Sequence, residues 1–187
     1  MKRNNLFFVI AVLIFVVGFP VFASAGLDYQ LTYTSLFGVN KVLLVVNANI
    51  YNALSAPLKT FISDLERDRY NVSLIKYKAG SAEDLKNYIK SIRFLKGAIL
   101  IGDLPYALFK MEQCGEDVDG LLAQEGLDSY PADAFFADLN GTWTDTNGDG
   151  VYDTQTGDIG QEIWGGRLAA HALKDPAMSE VALLADY

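Results

Sequence analysis

The sequence predicts an α/β domain of three layers, with a mainly parallel sheet of three to four strands and helices on its faces. Three observations carry that prediction. The apolar, β-branched runs at residues 41–47 and 97–102 are continuous rather than alternating, as strands buried on both faces require. Two stretches between them repeat apolar residues at helical spacing. Strand and helix patterns then alternate as strand, helix, strand, helix, strand, the connectivity of a right-handed parallel unit.

Residues 41–47, KVLLVVN, form the first expected strand. Ser55 is placed to N-cap a helix in which Leu58, Phe61, Ile62 and Leu65 share one face. Residues 70–78, YNVSLIKYK, alternate and read as a second strand. Ser81-Ala82-Glu83-Asp84 has the form of a capping box, and Leu85, Tyr88, Ile89 and Ile92 repeat the one-faced pattern after it. Residues 97–102, GAILIG, are the third strand. Asp103 therefore falls just past a strand's C-terminal end, the edge where parallel sheets carry their sites; the plainer role for it is a turn or cap carboxylate. Beyond Pro105 the period breaks down. Residues 130–143 read as a short strand entering a turn at Asn140-Gly141, and residues 162–170, EIWGGRLAA, as a returning strand. Asp175-Pro176 suits the start of a last helix.

The 187 residues suit one domain with a genuine core. Residues 1–25 stand apart from it. Lys2 and Arg3 precede an apolar run from Leu6 to Phe22, and Ala23-Ser24-Ala25 supplies the small residues that a signal peptidase needs. This reads as a secretory signal cut before Gly26, leaving a domain over residues 26–187 in a secreted, cell-surface or periplasmic setting. The other reading is an uncleaved anchor, because an apolar run of roughly 17 residues is near the lower limit for spanning a bilayer. No second segment is long enough, so no stable membrane anchor is expected after cleavage.

Removing Lys2 and Arg3 takes the formal charge from -8 to -10, and that charge is unevenly spread. Residues 26–110 hold 11 Lys and Arg against 7 Asp and Glu; residues 111–166 hold 13 Asp and Glu and no cation. Such an acidic insert repels phosphate, which argues against a nucleic-acid partner and leaves a polypeptide or protein partner open. It suits bound cations or a solvated loop region. Cys114 is the single cysteine, so no internal disulfide is available to a secreted chain.

Within the insert, residues 145–153 read DTNGDGVYD. Calcium takes six to eight oxygens, and a tight loop supplies them from alternating positions. Asp145, Asn147 and Asp149 occupy positions 1, 3 and 5 of such a loop, Gly150 allows the turn at 6, Val151 offers its carbonyl at 7, and Asp153 stands at 9. Thr156 stands at position 12, where a bidentate Glu belongs, and no helical pattern enters the loop, so an ordinary EF-hand is not expected. Asp158 or Asp138 would complete the shell. The alternative is a solvated Asn/Gly/Asp turn with no ion.

The ordered segments AILIGDLPYALF, YPADAFFADLNGTWTDTNGDGVYD and DIGQEIWGGRLAAH together resemble the first part of the catalytic domain of gingipain-type cysteine peptidases. The resemblance covers roughly residues 41–187. It rests on Gly102-Asp103, on the Tyr- and Asp-rich stretch 130–138, and on Gly166-Arg167. It implies a secreted domain of caspase-like, flavodoxin-like architecture whose family carries out proteolysis with a Cys nucleophile and a His base. Those residues lie in a Gly-His-Gly turn and at the end of the following strand, beyond the Gly-Arg strand, and neither motif occurs in this sequence.

The residues present do not replace them. Cys114 is followed by Gly115, Glu116, Asp117 and Asp119, a negative field that raises a thiol pKa. His171 follows the strand at a position with no catalytic role in the family pattern. Plainer roles are an incidental loop thiol and a polar residue ahead of a helix. One His and one Cys do not make a zinc site, and no Gly-x-Ser-x-Gly motif is present. No Gly-rich phosphate loop follows the first strand, where NANIYNAL stands instead. The expected function is a peptidase-domain fragment with no catalytic residues of its own, either a truncated product or a free-standing remnant. The competing expectation is a secreted, calcium-stabilised binding module.

Overall fold

A computed structural model of the chain describes residues 26–36, 38–110, 129–170 and 179–185. Residues 1–25, read above as a secretory signal, and Cys114, His171 and Asp175-Pro176 lie outside the described residues. In chain order the elements are β1 (Asp28–Thr34), β2 (Asn40–Asn47), α1 (Ala48–Tyr51), α2 (Ser55–Arg67), β3 (Tyr70–Ala79), α3 (Ala82–Ser91) and β4 (Leu95–Ile101). There follow β5 (Leu108–Lys110), β6 (Ser129–Pro131), α4 (Ala134–Ala137), β7 (Thr142–Thr144), β8 (Val151–Tyr152), β9 (Thr154–Thr156), β10 (Trp164–Leu168) and α5 (Glu180–Ala185).

The main sheet has five strands in the order β1-β3-β2-β4-β10. β3, β2, β4 and β10 are parallel, whereas β1 runs antiparallel along β3. The sheet is therefore mixed, with one strand more than the mainly parallel sheet that the sequence predicts. β1 supplies the difference. Its residues are largely exposed, so no apolar period marks it, and its order comes from a ladder to β3 with two register shifts.

Both faces of the sheet are covered. Val42, Leu44 and Val46 of β2 join Val72 and Leu74 of β3 and Leu58 and Ile62 of α2 in one cluster. Leu43 and Val45 point the other way, with Ile75, Tyr77, and Leu85 and Ile89 of α3, in the second. Five consecutive buried residues in β2 thus feed two cores by alternation. Each such side chain contributes about 1.5–3 kcal/mol by leaving water.

The capping box forms as expected. Ser81 accepts from the Asp84 amide at 3.1 Å, and Asp84 accepts from the Ser81 amide at 3.0 Å. Ser55 does not cap its helix. It is the first helical residue, and Leu54 occupies the cap position without a side-chain bond. The stretch read as a short strand before Asn140-Gly141 instead contains the single helical turn α4, which buries Phe135 and Phe136 side by side.

Candidate functional site

Two places unite the residues singled out in the sequence: the C-terminal edge of the parallel strands, and the acidic hairpin of the insert.

At the sheet edge, β2 connects outward to β3 and the chain then crosses back to β4, so the strand order reverses between β2 and β4. That is the switch point where doubly wound sheets bind ligands. Asn47 ends β2 there. Its side chain accepts from the Asn49 amide at 2.8 Å, capping α1, and its amide nitrogen donates to the Asp103 carbonyl. Gly102 has φ +87°, and a Cβ at that position would lie 2.4 Å from Ile50 Cδ1, so only glycine fits between β4 and α1. Asp103 is exposed at this edge.

One strand over, Arg167 of β10 closes the same edge. Its guanidinium donates to both Asp133 oxygens, to the Leu104 carbonyl at 2.9 Å and to the Pro105 carbonyl at 2.9 Å. The Gly102 amide donates to the Leu168 carbonyl at 2.8 Å. The loop leaving β4 is thereby bound to β10. Sequence reading found Gly166-Arg167 but not its partner Asp133, 34 residues upstream.

The acidic loop is the tip of a hairpin. β7 pairs antiparallel with β9, and the Asp153 amide donates to the Thr144 carbonyl at 2.8 Å. Strands, not helices, flank the loop, in keeping with the expectation that no EF-hand forms. Asp145 accepts from the amides of Gly148 (2.7 Å), Asp149 (3.3 Å) and Gly150 (2.8 Å). Asn147 accepts from the Asp149 amide at 3.2 Å, and Asp149 accepts from the Val151 amide at 2.8 Å and from the Asn147 side-chain amide at 2.8 Å. Asp153 accepts from the Thr146 hydroxyl and amide, which hold its carboxyl below the usual aspartate value. Lys110 stands 3.9 Å from its other oxygen. The loop thus brings Asp145, Asn147 and Asp149 into one hydrogen-bonded turn with Asp153 at its base. Among the described residues, no three or more His, Cys, Asp or Glu side chains are grouped to hold a metal ion. The donors are nevertheless all hard oxygens, the chemistry that suits calcium.

Asp138, one of the two residues considered for completing a calcium shell, is committed elsewhere. Fully buried, it accepts from the Gly141 amide at 2.6 Å, the Asn140 amide at 3.2 Å, the Trp143 indole at 2.7 Å and the Gln155 side chain at 2.7 Å. Burial pushes its pKa up. The bonds from Gly141, Gln155 and Trp143, with the Lys86 cation, outweigh that and leave it below the usual value. Lys86 is itself buried on α3, its ammonium 4.2 Å from the Phe135 ring centroid, and burial lowers its pKa. Phe135, Trp143 and Tyr152 pack together, and the Tyr152 hydroxyl donates to Glu83 at 2.8 Å, so the hairpin base is fastened to α3.

Among the described residues, no helix is long and apolar enough to cross a membrane. Comparison with protein-family models, curated proteins and solved structures returned no match for this chain.

Proposed function

We propose that this chain is a secreted fragment of a gingipain-like, caspase-like cysteine peptidase domain, related to proteolysis by descent and without turnover of its own. One observation supports the reading most directly: β4 and β10 are parallel neighbours, with Gly166 and Arg167 opposite Ile99 and Leu100, so Gly102-Asp103 and Gly166-Arg167, the two dipeptides of the resemblance, come from adjacent strands near the C-terminal edge. Thiolate catalysis needs a Cys activated by a base. The chain's single Cys and single His both lie outside the described residues, and in sequence the Cys is followed by Glu116, Asp117 and Asp119.

The expected result is no inhibitor-sensitive cleavage of casein, and labelling of Cys114 by a thiol-directed peptidyl inhibitor no faster than that of free cysteine. Cleavage lost on Cys114→Ala would sink the inactive reading. The reading frame downstream of Tyr187 separates the alternatives: a Gly-His-Gly turn and a strand-end Cys there would make this chain the front of an active peptidase.

A second reading is favoured by the hairpin tip: a secreted, calcium-stabilised module that binds a protein partner. Asp145, Asn147, Asp149, the Val151 carbonyl and Asp153 would hold the ion. Calcium would supply charge neutralisation and order to the tip, while the backbone amides keep these side chains turned into the loop.

A further inference from the structure

The opposite edge of the sheet carries a concavity, which neither reading above uses. It lies at the N-terminal ends of the parallel strands and has a volume of about 450 Å³, within the roughly 300–1,000 Å³ range of small-molecule sites. Tyr70, Asn40, Lys96 and Trp164 come from the starts of β3, β2, β4 and β10, and Gln161 and Glu162 from the segment entering β10.

The pocket is built around Trp164. Gly97 is its register partner on β4, and a Cβ on Gly97 would lie 2.1 Å from the indole, so the ring rests on bare backbone. Trp164 is still 40% exposed, which is unusual for an indole seated against a sheet. Tyr70 meets it edge-on, with ring centroids 6.4 Å apart at 77°, and the two rings form an aromatic corner.

The polar lining selects among ligands. Lys96 and Glu162 cancel in charge, and Asn40 and Gln161 each bring an amide that donates and accepts. Asn40, Lys96 and Gln161 spend no side-chain hydrogen bond on other described residues, while Glu162 spends one oxygen on the Leu139 amide at 2.6 Å. An anion would meet Glu162 and a cation would meet Lys96. A neutral ligand whose groups both donate and accept, and which has an apolar face for the indole, meets neither conflict.

We propose that this corner binds a neutral sugar ring, stacked on Trp164 with its hydroxyls on Asn40, Gln161, Glu162 and Lys96. The test is saturation-transfer NMR on the full chain with chitotriose, cellotriose and maltotriose as probes. At least one trisaccharide should give saturable transfer, weakened about tenfold or more in Trp164→Ala, which removes the stacking face. Should Trp164→Ala fail to fold, the Asn40→Ala/Gln161→Ala double variant decides, since both side chains are exposed and should leave the fold intact. Absence of transfer from all three sugars would overturn the proposal, as would undiminished transfer in the folded variants. Inorganic phosphate or lysine shifting the Trp164 indole N–H signal where the sugars do not would overturn it equally.

Discussion

Arg167 and Asp133 form a two-pronged ion pair, with Nε 2.9 Å from one carboxylate oxygen and Nη2 2.8 Å from the other. Arg167 is the more buried partner, at 16% side-chain exposure against 40% for Asp133. The same guanidinium also satisfies the Leu104 and Pro105 carbonyls, so three separate segments meet on one side chain.

Its loss should therefore cost more than an exposed salt bridge. Arg167→Ala is expected to destabilise the domain by about 2–4 kcal/mol, because it strands two carbonyls and a carboxylate together. Arg167→Lys should recover only part, since an ammonium cannot present the planar fork. Asp133→Asn should cost less than either, its carboxylate being better solvated. Urea denaturation of the three variants gives the order, and a loss under about 0.5 kcal/mol in Arg167→Ala would reduce the pair to surface decoration.

Asp138 makes a prediction about pH. Its folded pKa lies below the ordinary value of 3.8, so it contributes stability that is complete above the unfolded pKa and lost as pH falls through the folded one. Asp138→Asn should cost about 2–4 kcal/mol at neutral pH, because the NH2 of an amide must face either the Gly141 and Asn140 amides or the Trp143 and Gln155 donors. The gap between variant and wild type should narrow as pH drops below about 4. Denaturation midpoints across that range measure it, and a gap that stays constant with pH would mean the carboxylate's charge contributes nothing.

These two acids also show where the sequence was legible. β2 and β4 announce themselves because buried parallel strands need continuous apolar runs, β3 by its alternation, and the helix after Ser81 because its capping box is local. β1 does not, since its stability lies in pairing with β3 rather than in an apolar face. α4 is too short for a helical period, and its adjacent Phe135 and Phe136 imitate a strand. Asp133 and Asp138 look like any acids of an acidic insert. Only the fold brings Arg167 to one and Trp143, Gln155 and Lys86 to the other.

Gly97 offers a packing test. The indole of Trp164 fills the space a Cβ would take, so Gly97→Ala must move the ring or the strand and should cost about 1–3 kcal/mol by overpacking. Trp164→Ala in the same background should relieve most of that cost, giving a coupling that a double-mutant cycle reads directly. Additive losses would show that the two residues do not press on each other.

The hairpin tip decides the metal question. If Asp145, Asn147, Asp149, the Val151 carbonyl and Asp153 take calcium, the ion must offset the repulsion of three carboxylates held in one short loop. Mass action then stabilises the fold by about 2.7 kcal/mol when calcium stands at 100 times its dissociation constant. For a domain of this size that corresponds to a rise in melting temperature of about 5 to 10 °C. Asp149→Ala should abolish most of the rise. Without metal it should change stability by less than about 1 kcal/mol, because Asp149 is exposed and gives up only its bonds from the Val151 amide and the Asn147 side chain. Asp117→Asn, in the same acidic insert but outside the loop, should leave the rise intact and so separates coordination from general charge screening. An equal calcium shift in wild type and Asp149→Ala would make the tip a solvated turn, closed by its own amides, and would remove the calcium-stabilised reading with it.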